Sequence, residues 1–92
     1  MNKTQLSLAL DRMDRIYPNV MEPDYREEVR RLGAAFPPLA RTARQLKDLL
    51  NANRTTPHAV LQEEAGDRIR ELHDRLRIDA QRLLHAPVWP YD

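Results

Sequence analysis

A chain of 92 residues with 41% hydrophobic and 32% charged side chains and a formal net charge of +1 is sized and balanced for one globular domain. With no cysteine it has no disulfide staple, no thiolate metal site and no cysteine nucleophile. Its longest apolar run, Gly33–Ala34–Ala35–Phe36, stops at two prolines, far short of the ~20 residues of a membrane-spanning helix; nothing resembles a signal peptide, and a cytoplasmic protein is expected.

Only five residues are aromatic, and leucine and alanine supply most of the apolar content, which favours helices over sheets. Four segments carry helical periodicity and none the alternation of a strand. The first runs from about Thr4 to Ile16, with Leu6, Leu10, Met13 and Tyr17 along one side, Thr4 as N-cap and Tyr17–Pro18–Asn19 as its end. In the second, Asp24 followed three residues later by Glu27 reads as a capping box, and Tyr25, Val29, Leu32 and Phe36 form one stripe. Pro37 and Pro38 break that stripe, because neither can donate to the preceding turn.

The third segment resumes with Pro38 near its first position and carries Leu39, Ala43, Leu46 and Leu50. Whether segments two and three are one kinked helix or two helices at an angle stays open. The fourth, expected to be the longest, is capped by Thr55 or Thr56, has Pro57 in its first turn and extends to about His85. Leu61, Ala65, Ile69, Leu72, Leu76 and Leu83 lie along one side of it. Residues 1–86 thus read as one all-α domain of three or four helices, an antiparallel helical hairpin with a short N-terminal helix against it and a break at Phe36–Pro38. Residues 87–92 read as an extended C-terminal tail.

Charge supports that hairpin. Residues 23–54 hold seven cations against four carboxylates, whereas residues 55–92 hold five against seven, so the basic middle suits an antiparallel packing on the acidic last helix. Within that helix Glu64–Arg68, Glu71–Arg75, Asp67–Arg70, Asp74–Arg77 and Asp79–Arg82 are spaced for ion pairs along a solvated face.

Catalytic chemistry finds little support. Every carboxylate pair is accounted for by that ladder, and the histidines, His58, His73 and His85, are fifteen and twelve residues apart, so none has a second ligand one helical turn away. His73 reads as a surface or boundary residue. Gly33 and Gly66 are the only glycines and Ser7 the only serine, which leaves no phosphate-binding loop. No enzyme, catalytic residue, metal or cofactor is expected.

Two binding classes remain. The preferred one is a small accessory, regulatory or inhibitor protein acting through protein contacts. Val60 and Ile78 lie off the main stripe of the last helix, and Val88, Trp89 and Tyr91 sit in a proline-framed tail, rich in the residue types of interface hot spots. A homo-oligomer, first of all a dimer, is expected along the leucine-bearing faces of the last two helices, because so few aromatics suggest a thin core. The alternative for the tail is that Trp89 folds back to cap the helical core.

The second class is a nucleic-acid-binding accessory protein. Arg44, Lys47 and Arg54, with Asn51 between them, recur at helical spacing on the third segment. Asp48 interrupts this stripe, and the acidic last helix offers it an intramolecular use, so it takes second place. Thirteen arginines against two lysines, in a chain rich in alanine, leucine and proline, match a G+C-rich bacterial, plasmid or phage genome. A small ligand held between protomers comes third.

Overall fold

The structure is a computed structural model and describes residues 2–55 and 64–91. It is all-α. Among the described residues there are four α-helices: α1 (Lys3–Ile16), α2 (Pro23–Ala35), α3 (Ala40–Ala52) and α4 (Glu64–Leu84). Single 3-10 turns at Tyr17–Asn19 and Pro37–Leu39 follow α1 and precede α3.

Helix starts differ from the sequence reading in instructive ways. The N-cap of α1 is Asn2, not Thr4: its side chain accepts from the Gln5 amide at 2.8 Å, and the Gln5 side chain accepts from the Asn2 amide at 2.8 Å. Two orphan donors are thereby satisfied, and Thr4 is left inside the first turn. The capping box expected at Asp24 and Glu27 does not form. Pro23, with its preset φ, occupies the first turn, the cap falls on Glu22, and Asp24 moves inside the helix, where its charge favours the positive helix end. Glu27 is then free to pair with Arg30 and Arg31 at 2.7 Å and 3.6 Å.

At Phe36 the backbone leaves helical geometry for an extended conformation, as the following proline requires. The chain then folds back, so α2 and α3 are two packed helices rather than one kinked helix. Their contact is close. A Cβ built on Gly33 would lie 2.7 Å from the Ala43 Cβ, a distance at which one helix must move. Gly33 and Ala43 therefore set how near the two backbones approach.

One core joins all four helices. Leu6, Ala9, Leu10 and Met13 come from α1; Tyr25, Val29 and Leu32 from α2; Ala43, Leu46 and Leu50 from α3; Ile69, Leu72, Leu76 and Ala80 from α4. Phe36 and Leu39 fill it at the α2–α3 turn. Each such leucine contributes about 1.5–3 kcal/mol by leaving water. The leucine faces of α3 and α4, which sequence reasoning reserved for a dimer, are thus consumed inside one chain. Four helices meeting edge to edge, with Tyr25 and Phe36 buried among the leucines, supply enough apolar surface to cover them.

The molecule measures 42 × 18 × 17 Å, and 18 Å is the breadth of two helices. Each helix therefore turns one stripe inward and one outward. Of the start expected for the fourth segment, Thr55 is described, in an exposed turn after α3, whereas Thr56, Pro57, His58, Val60 and Leu61 lie outside the described residues.

Candidate functional site

Because α2 and α3 approach so closely at Gly33, the surface between them is a cleft with a floor of small residues. Gly33, Ala34, Ala40 and Ala43 line it, while Arg30, Arg44 and Lys47 rise around it. Long cationic chains stand one turn apart because Arg44 and Lys47 are spaced three residues apart, on neighbouring turns of one face. The Arg30 guanidinium makes two hydrogen bonds to Glu27, at 2.9 and 2.7 Å, and this pairing lowers the Glu27 carboxyl pKa and raises that of Arg30. Arg44 and Lys47 have no carboxylate within ion-pair distance among the described residues. Arg54 lies beyond the end of α3, exposed, and does not line the cleft.

That observation corrects the charge argument made from sequence. Among the described residues, no ion pair crosses from α3 to α4. Three of the five α4 cations are matched within their own helix, Arg68 with Glu71 at 3.0 Å, Arg70 with Asp67 at 3.3 Å and Arg82 with Asp79 at 3.6 Å. Three of the five expected rungs do not form: Arg68 pairs with Glu71 rather than Glu64, which takes Glu71 from Arg75, and Arg77 leaves Asp74 for Asp14 of α1. The α3–α4 seam is apolar, built from the inward leucines, and it leaves the α3 cations on the outside.

A second polar cluster is buried. The His73 side chain, read from sequence as a surface or boundary residue, is only 4% exposed. The Tyr25 hydroxyl lies 2.6 Å from its Nδ1, and Asp14 Oδ1 lies 3.3 Å from its Nε2. A carboxylate can only accept, so Nε2 carries the proton and Nδ1 accepts from Tyr25. The ring of Tyr17 stacks on the imidazole at 4.1 Å between centroids. Arg77 Nε lies 3.0 Å from the same Asp14 oxygen but is not aligned for a hydrogen bond.

Burial pushes the His73 pKa down, opposed by Asp14, and pushes the Tyr17 and Tyr25 pKa values up. The row carboxylate–imidazole–phenol has the order of a proton relay. Tyr25 is fully buried, however, so a substrate has no route to the phenol in this conformation. The cluster ties α1, α2 and α4 together. Its sequence signal was weak: His73 lies on the edge of the α4 apolar stripe, one residue after Leu72.

The tail residues singled out from sequence divide. Trp89 and Tyr91 turn back on the core, both edge-on to Phe36, with ring centroids at 5.7 and 5.2 Å. They also pack on each other at 5.5 Å. This is the fold-back alternative weighed from sequence. The Trp89 Nε1 is buried there without an acceptor. Val88 remains 74% exposed beside them, and Ile78 stands 53% exposed on the outer side of α4. The candidate partner residue Val60 lies outside the described residues. Among the described residues no group of three or more metal-ligating side chains comes together, and no helix is long and apolar enough to cross a membrane. Compared with protein-family models, with curated proteins and with solved structures, the chain finds no match.

Proposed function

We propose that the protein is a non-enzymatic interaction module whose binding surface is the α2–α3 cleft, and that the cleft takes the phosphate backbone of duplex nucleic acid. The observation that carries this reading is the convergence of Arg44 and Lys47, both without a carboxylate partner, with Arg30 on a groove floored by small residues. An unpaired cation has not spent its charge inside the fold, and a floor without bulky side chains lets a phosphate approach the rims. The two unpaired cations add a log–log salt slope of about −1.8, which makes an accessory rather than a tight binder.

The test is fluorescence anisotropy with labelled duplex DNA over a salt series. Binding that weakens with salt at roughly that slope, and that is mostly lost in Arg44→Gln/Lys47→Gln, is expected. Absence of binding at low salt, or an unchanged double variant, overturns the reading.

A second reading keeps the accessory, regulatory or inhibitor protein acting on a protein partner through the tail. It draws on the orphaned Trp89 indole N–H and on exposed Val88 next to it. An unmet buried donor costs about 1–3 kcal/mol, so the tail is held in place by ring packing alone and has a reason to exchange onto a partner that supplies an acceptor. Under that reading Trp89→Ala abolishes function and the cleft variant leaves it intact. The cleft takes precedence because the tail aromatics already have a use within the chain and the cleft cations have none.

A further inference from the structure

Opposite its buried stripe, α4 carries a line of side chains in a telling order. At 3.6 residues per turn, Glu71, Asp74, Arg82 and His85 fall within about 40° of Ile78 around the helix axis. All five are exposed. The helical hydrogen bonding continues to the His85 amide, which donates to Gln81 at 3.0 Å, so the line is unbroken to its end. Before Ile78 it holds only carboxylates, and after Ile78 a guanidinium and an imidazole. Ile78 stands at the centre with open hollows on both sides of it.

Such a line is complementary to itself when reversed. In an antiparallel pair of helices centred on Ile78, a residue four before the centre faces one four after it. Asp74 then faces Arg82 of the second copy, Glu71 faces His85 of the second copy, and the two Ile78 side chains meet on the axis. Two-fold symmetry makes each pairing twice. A parallel pairing would instead set carboxylate against carboxylate.

We infer that the outer face of α4 pairs with the same face of a second copy of this chain, antiparallel about a two-fold axis at Ile78. Arg82 is available for this contact, since its pairing with Asp79 is loose at 3.6 Å and its side chain is 79% exposed. One apolar residue per chain at the centre makes a small, reversible interface whose attraction is screened by salt. The pairing is distinct from the α2–α3 cleft and independent of what the cleft binds. If both hold, each dimer presents two basic clefts and doubles its phosphate contacts.

The experiment is sedimentation equilibrium of the full chain without ligand, over rising concentration at low and at high salt. The wild type is expected to move from the monomer mass towards twice that mass at low salt and to return to monomer at high salt. Asp74→Arg alone and Arg82→Asp alone each place two like-charge pairs across the axis and are expected to stay monomeric. Asp74→Arg/Arg82→Asp reverses both charges and is expected to dimerise again, while Ile78→Asp stays monomeric. Circular dichroism confirms that these surface variants remain helical. A wild type that is monomeric throughout, single variants that still dimerise, or a double variant that does not recover each overturns the proposal.

Discussion

The Tyr25 hydroxyl donates to His73 Nδ1 at 2.6 Å across forty-eight residues of chain, and so joins α2 to α4 at the same ring that Asp14 joins to α1. A hydrogen bond this short between two buried side chains has consequences for stability, because neither group has water to fall back on.

The first concerns pH. Burial holds the His73 pKa below the ordinary histidine range, with Asp14 pulling the other way. The unfolded chain therefore takes up this proton near pH 6.5, before the folded protein does. The stability that His73 contributes is complete above that pH. It declines as the pH falls below it, by up to about 1.4 kcal/mol per pH unit, until the folded ring also titrates. Denaturant unfolding of wild type and His73→Gln from about pH 7.5 to about pH 5 is expected to show a steeper acid loss in the wild type. Parallel curves would show that His73 titrates alike in both states.

Tyr25→Phe keeps the ring and removes only the donor, leaving His73 Nδ1 a buried acceptor with nothing to accept. A loss of about 1–3 kcal/mol in unfolding free energy is expected. Leu49→Ala, at a half-buried position on the edge of the core, serves as a comparison for simple loss of apolar contact.

Gly33→Ala would normally stabilise a helix by about 0.5–1 kcal/mol. Here the added methyl meets the Ala43 Cβ at 2.7 Å, and neither group can rotate away. Overpacking of this kind costs about 1–3 kcal/mol, so a net loss is expected. Gly33→Ala/Ala43→Gly returns the space and should recover most of the clash term. A double-mutant cycle measures it.

The tail provides a fluorescence test, since Trp89 is the single tryptophan. Its packing on Phe36 and Tyr91 predicts blue-shifted emission in the folded protein, and each aromatic pair adds about 0.5–1.5 kcal/mol beyond area burial. Tyr91→Ala is expected to shift the emission to the red and lower the stability, whereas Val88→Ala, at an exposed position, changes neither. Water-exposed emission in the wild type would place the tail away from Phe36.

The α1 cap is tested by a pair of changes. Asn2→Ala removes the side-chain acceptor for the Gln5 amide and should cost about 1 kcal/mol, while Thr4→Ala should be close to neutral.

The helices, their inward stripes and the break at Phe36 were legible in the sequence, for one physical reason: each depends on residues within a turn or two of one another. Leu6–Leu10–Met13, Tyr25–Val29–Leu32, Leu46–Leu50 and Ile69–Leu72–Leu76 declare a buried face by spacing alone, and Pro37 disfavours helix at Phe36 wherever the chain goes. Caps were legible only in part, because Asn2 and Thr4, or Glu22 and Asp24, compete for one helix start within two residues.

What the sequence could not determine was which outward groups meet. Segment charges suggested that α3 and α4 attract, yet a sum over a segment carries no information about azimuth. Tertiary packing turned the α3 cations outward around Gly33 and Ala43 and gave Arg77 to Asp14 rather than to Asp74. It also placed His73 between Asp14, Tyr17 and Tyr25, residues from other parts of the chain, and returned Trp89 to Phe36. Each of these pairings is decided by how close two helices approach and by which way each is rotated about its axis. Those two quantities follow from the fit of all the buried side chains at once, and no local stretch of sequence contains them.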